Sequence, residues 1–108
     1  RDRTRGEKIP LEFLVNKQTR RTAEAYGLLD RGLLRPGYKA DFNIIDFERL
    51  TVGAPELVRD LPAGGKRLVQ RPQGYSHTFV SGIEVSCEGE ATGQRPGRLI
   101  RGAQCDPG

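Results

Sequence analysis

The sequence has no methionine, no tryptophan and a single histidine, and only 6% of its residues are aromatic. Each scarcity excludes something. A hydrolytic zinc site needs about three protein ligands converging on one open position, and His77 with two distant cysteines does not supply them by spacing. A surface that reads single-stranded nucleic acid interleaves aromatic platforms with basic groups spread along a groove. Here the first 21 residues hold the whole basic excess of a chain whose net charge is +4, so a solvated helix face is the simpler reading and no nucleic-acid partner is expected. No run approaches the 18 apolar residues of a membrane span, and the start carries no apolar signal region. No membrane partner is expected, and a soluble, cytoplasmic chain is. The two cysteines, Cys87 and Cys105, fit neither a disulfide framework nor a metal or redox motif, which predicts two free thiols. Lack of methionine, with Arg1 at the start, predicts a fragment or a processed product.

What is present is modest. The chain has 108 residues, and an α/β barrel enzyme typically needs about 200 or more. Leu, Ile, Val and Phe make up roughly a quarter of it, enough for a small core and above the level of disordered chains. Gly 14 and Pro 7 point to short elements joined by many turns. The fold class expected is mixed and mainly β, with short N-terminal helices followed by a small β-sheet or partial β-sandwich. Residues 1–30 are expected to form the helical segment and residues 31–108 the β part.

From Leu11 to Tyr26 the apolar positions follow a helical stripe that breaks in the middle. This predicts two short helices, with Pro10 in the first turn of one, Thr19 as N-cap of the other, and Gly27 left-handed at its end. Turns follow at Asp30-Arg31-Gly32 and Arg35-Pro36-Gly37, then a strand over residues 40–46 with Phe42 and Ile44 on one face. Between about residues 49 and 76 prolines and glycines dissolve the pattern into a long loop. Thr78-Phe79-Val80 and Ile83-Glu84-Val85 flank Ser81-Gly82, which predicts a β-hairpin from about His77 to Cys87. Phe42, Ile44, Phe79, Val80, Ile83 and Val85 are the expected core.

The chemical candidates reduce to scaffold. Ser76 and His77 are adjacent on a strand and point to opposite faces, so no Ser-His-Asp relay forms from them. His77 is read as structural. Gly64-Gly65-Lys66 lacks the phosphate-loop frame and reads as a plain turn. Glu88 and Glu90 flank a glycine in a turn and read as solvated charges. No catalytic, cofactor-binding or metal-binding residue is therefore expected in the chain.

Several segments taken in order resemble the C-terminal region of the D-aminoacylase (N-acyl-D-amino-acid deacylase) family of the amidohydrolase superfamily. They are Pro10-Leu11-Glu12 with Val15 and Thr19, Ala23-Glu24-Ala25-Tyr26-Gly27-Leu28, Asp30-Arg31-Gly32, and Leu34 through Asp41 (LRPGYKAD). Ile45-Asp46, Asp60 through Gly65, Gly74-Tyr75, Val80-Ser81-Gly82, Gly89 and Thr92 through Arg98 (TGQRPGR) complete the series. The resemblance implies a metal-dependent hydrolase of the amide bond in N-acyl-D-amino acids, with a (β/α)8 barrel beside a composite β-sandwich. It also implies that the ligands and catalytic aspartate of that enzyme lie in the barrel, so none maps onto this chain. No cofactor is expected here, although zinc is expected in the complete parent enzyme. The native partner would be the missing barrel, and without it the chain should form a homo-oligomer through an exposed sheet edge or its helices. The other reading is a free-standing β-rich interaction or assembly module without enzymatic activity.

Overall fold

A computed structural model describes residues 4–108, which fall into two compact units: residues 4–41 with Arg98–Gly108, and Phe42–Gly97. The fold class is the expected one, mainly β with short helices ahead of small antiparallel sheets.

In the first unit, helix α1 (Leu11–Asn16) runs through a π-helical turn (Lys17–Arg21) into α2 (Thr22–Ala25). The break in the apolar stripe is this π turn, which carries the chain on without leaving the helical region. Asn16 and Thr22, at either end of it, keep right-handed helical φ and ψ. Thr19 is therefore not an N-cap, because a cap needs a residue outside helical geometry. Its hydroxyl instead donates back to the Val15 carbonyl at 2.7 Å, and the Thr22 hydroxyl reaches the Lys17 carbonyl at 2.7 Å. Pro10 stands just before the first helical residue rather than inside the first turn. Gly27 ends the helical run in the left-handed region, as expected, at φ +70°.

The rest of this unit is irregular chain tied by specific contacts. Arg31 makes a two-pronged ion pair with Asp30 at 2.9 and 3.2 Å, and the Asp30 carbonyl accepts from the Lys39 amide at 2.8 Å. Gly32 lies at φ +86°, where a Cβ would sit 3.0 Å from the Thr19 carbonyl oxygen and from the Arg20 Cα, so only glycine permits this approach to the π turn. The C-terminal tail returns to the same unit. Gln104 donates to the Gly27 carbonyl at 2.8 Å and bridges Leu28 in parallel, while the Tyr38 hydroxyl joins Arg20 to Asp106.

The second unit holds a four-stranded antiparallel sheet in the order β1-β6-β7-β8, from β1 (Phe42–Ile45), β6 (Tyr75–Val80), β7 (Ile83–Cys87) and β8 (Glu90–Ala91). Hairpin β6–β7 turns at Ser81-Gly82 with φ of 52° and 76°, and β7–β8 at Glu88-Gly89 with φ of 48° and 83°. Positive φ at both central residues is the signature of the tight turn whose twist matches antiparallel strands. Phe42 stands opposite Phe79 and Ile44 opposite His77, so Phe42 and Ile44 do share a face; the two phenyl rings stack at 4.7 Å.

The expected loop over residues 49–76 is instead a two-stranded arm. Short β2 (Thr51–Val52) pairs with β5 (Pro72–Gln73), and β3 (Glu56–Val58) pairs with β4 (Arg67–Val69), around a 3-10 turn at Pro62–Gly64. Prolines and glycines that broke the apolar pattern occupy its base, its tip and the break between β2 and β3, leaving runs of two or three residues too short to show alternation. Gly74, at φ +94°, ends the arm where a Cβ would meet the Leu50 backbone at 2.8 Å.

Among the described residues Ala23 alone is buried. The six residues expected to form a core are half-buried or, for Ile44 and Ile83, exposed at 48% and 44%. The cause is geometric: a sheet face becomes a core only when a second layer covers it. Leu34, Leu68 and Leu99 are exposed at 72% or more.

Candidate functional site

Among the described residues one cluster has metal-ligand chemistry: His77, Glu84 and Cys87, on one face of the β6–β7 hairpin. It is assembled by a register shift. The Ser81-Gly82 turn sets Val80 opposite Ile83 and Phe79 opposite Glu84. An unbroken ladder from that turn would continue with Ser86 opposite His77 and send Cys87 to the other face, because side chains alternate with a period of two. One extra residue on β7, Val85, interrupts the ladder between the Phe79/Glu84 and Thr78/Ser86 pairs. The β-bulge moves every later partner by one, and Cys87 arrives opposite His77.

The pair is a close one. Glu88 donates its amide to the Ser76 carbonyl at 2.7 Å, which makes His77 and Cys87 a non-hydrogen-bonded pair, the type whose side chains approach more nearly. Glu84, diagonal to His77, completes the group: its Oε1 is bonded to His77 Nδ1, and the Cys87 thiol hydrogen-bonds the same carboxylate. The three ligand atoms lie within 4.8 Å of one another.

Burial pushes the Cys87 thiol pKa up, and the Glu84 and Glu88 carboxylates push it further in the same direction. A cysteine nucleophile needs the opposite, a thiolate stabilised by positive surroundings. The carboxylate serves as acceptor for both neighbours. Its His77 and Glu84 side chains remain open to solvent, at 38% and 36%.

Of the earlier candidates, Ser76 donates to the Ile44 carbonyl at 3.0 Å and takes no part in the cluster. Gly64 and Gly65 fall at the tip of the β3–β4 arm, where the Gly65 amide donates to the Pro62 carbonyl. Glu88 lies in the β7–β8 turn, and Glu90 stands opposite Cys87 on β8 with its side chain exposed. Cys105 belongs to the first unit, and both cysteines are free thiols. Sequence reasoning placed His77 and Cys87 at the hairpin's open end without joining them, since the bulge that does so leaves no mark in the alternation.

Comparison with known proteins gives this scaffold its family. The profile described as the amidohydrolase family matches residues 1–85. An N-acyl-D-aspartate deacylase from Alcaligenes xylosoxydans xylosoxydans is 38% identical over 93 residues, covering 85% of this chain and 17% of that protein. A D-aminoacylase from the same organism is 36% identical over 92 residues, again 85% of this chain and 17% of its own length. An adenine deaminase from Lysinibacillus sphaericus is 64% identical over 32 residues, which is 30% of this chain and 6% of that protein. The chain therefore spans about a sixth of the length of the two deacylases it matches. No solved structure matches. With most of its length inside the family profile and 36–38% identity to two deacylases over 85% of it, the chain belongs to the amidohydrolase family.

Proposed function

We propose that the chain is the non-catalytic C-terminal portion of a cytoplasmic, metal-dependent deacylase acting on N-acyl-D-amino acids, and that it serves the enzyme as scaffold. The observation that carries this reading is apolar surface without a cover. A chain matching deacylases over 85% of its length buries only Ala23 among its described residues and leaves Leu34, Leu68 and Leu99 largely exposed. Faces of this kind belong against further protein. The 32-residue match to an adenine deaminase supports the same view, because a segment shared by enzymes named for different substrates suits a framework better than a specificity pocket.

The zinc expected in the parent enzyme finds no fit here as a catalytic ion. The chain has one histidine, and among the described residues no aspartate joins the cluster. No reaction step is assigned to these residues. Two unbridged thiols agree with a reducing compartment.

Exposed β1 and β8 edges and the uncovered apolar positions favour self-association of the isolated chain, so a homo-oligomer is the expected state. Two measurements on the 108-residue chain test the proposal. Incubation with N-acyl-D-aspartate, N-acyl-D-methionine and adenine should release no product above the enzyme-free blank, and turnover of any of them overturns the non-catalytic reading. Sedimentation at micromolar concentration should show a dimer or larger species. A monomer that binds no fluorescent apolar dye would contradict the uncovered faces and favour a self-sufficient module.

A further inference from the structure

We propose that His77, Glu84 and Cys87 form a binding site for one zinc-like divalent transition-metal ion on the β6–β7 hairpin.

The donor set decides the class of ion. An imidazole nitrogen, a carboxylate oxygen and a thiolate sulfur together suit zinc or cobalt, whereas magnesium and calcium take oxygen ligands. Geometry supports the same conclusion. A tetrahedral zinc ion with bonds of about 2.0–2.3 Å holds its ligand atoms about 3.3–3.8 Å apart, and the three atoms here lie within 4.8 Å of one another. Reaching that geometry takes side-chain movement of about 1.5 Å at most, with the His77–Glu84 contact opening to admit the ion. Three ligands leave the fourth position to water or to another group.

The site is built, not a chance gathering of surface charge. His77 and Cys87 are cross-strand partners on adjacent strands, fixed by the backbone ladder, and the Val85 bulge is what brings the sulfur to the face that already holds Glu84. Bulges recur where a strand must re-aim a side chain. Phe79 lies beside His77, with ring centroids 6.3 Å apart, and stacks on Phe42, so the imidazole is flanked on one side by an ordered apolar pair. On the other side, exposure of His77 and Glu84 gives an ion a way in. When the ion binds, the thiol proton leaves to solvent and the sulfur becomes a thiolate ligand, with no change of oxidation state.

This inference does not depend on the scaffold reading, because it concerns binding and not turnover. Titration of the reduced 108-residue chain with Co²⁺, followed by displacement with Zn²⁺, reads it directly. One equivalent of Co²⁺ should produce thiolate-to-cobalt charge-transfer absorption in the near ultraviolet and visible bands of a tetrahedral complex, and Zn²⁺ should bleach both. Cys105→Ser should keep the signal. Cys87→Ser should abolish the charge-transfer band, and His77→Ala should weaken Co²⁺ binding at least tenfold. The double variant S86C/C87S keeps the number of thiols but moves the sulfur to the opposite face, and it too should lose the band. Far-ultraviolet circular dichroism matched to the parent confirms that each variant retains its sheet. Absence of a one-equivalent signal in the parent chain, loss of the signal in Cys105→Ser, or retention of it in folded S86C/C87S would each overturn the proposal.

Discussion

In the first unit an irregular chain is tied within itself by side chains and held to the helical run by the Arg20–Tyr38 hydrogen bond and one close glycine approach, whereas in the second unit a backbone ladder with two tight turns carries the architecture. The contrast separates two ways of specifying structure. Ladders depend on period and turn residues, so many side chains on an exposed face can change without loss. Ties depend on particular atoms, and a single substitution can remove one entirely.

The largest expected effects come from the two glycines that allow close backbone approach, one in each unit. Gly32→Ala adds a Cβ 3.0 Å from the Thr19 carbonyl oxygen, and Gly74→Ala adds one 2.8 Å from the Leu50 backbone, each at a positive φ. Each substitution should destabilise its own unit by about 2–3 kcal/mol. Amide hydrogen exchange resolves where the loss falls: protection should drop at Gln104 and the helical amides for Gly32→Ala, and at Asp46 and β5 for Gly74→Ala. Unchanged exchange in either unit would break the comparison.

A smaller effect follows from charge. The Arg31 guanidinium bonded to Asp30 holds that carboxyl below the usual aspartate range. A depressed native pKa means that the contribution to stability is complete above the unfolded value of about 3.9 and is lost as pH falls through the native value. Acid titration should therefore loosen the first unit below about pH 4 through this pair. Asp30→Asn should cost about 1 kcal/mol at pH 7 and flatten that dependence. Urea unfolding monitored at several pH values checks both.

The smallest effect should be a gain. Glu88 occupies φ +48° in the β7–β8 turn, a conformation that asparagine tolerates better than glutamate. Glu88→Asn should stabilise the sheet by about 0.5 kcal/mol, read as a shift of the urea midpoint. A loss would mean that the turn is held by the Glu88 side chain and not by its backbone.

Legibility in the sequence follows the same division. The β6–β7 hairpin was readable because Ser81-Gly82 sits between alternating apolar runs, and β1 because Phe42 and Ile44 alternate beside it. The arm from Thr51 to Gln73 was not, since pairs such as Thr51-Val52 and Pro72-Gln73 are too short to carry a period and include a proline. The helical stripe was visible but its π turn was not: Thr19 reads as a cap by residue type, and only the continued helical backbone shows its hydroxyl bonded to Val15. The His77–Glu84–Cys87 group was hidden for a comparable reason. Strict alternation separates Cys87 from His77, and nothing about Val85 as a residue marks it as the extra one. The expected core failed because a sequence records which residues are apolar and not whether a second layer is present to cover them.

The central claim is that this chain is framework for chemistry performed by other protein. Its most direct test is the release of free D-amino acid from N-acyl-D-aspartate and N-acyl-D-methionine by the purified 108-residue chain, measured before and after addition of one equivalent of Zn²⁺. Both arms should match the enzyme-free blank, with metal bound and substrate intact. Catalytic turnover in either arm, removed by His77→Ala or Cys87→Ser, would contradict the account.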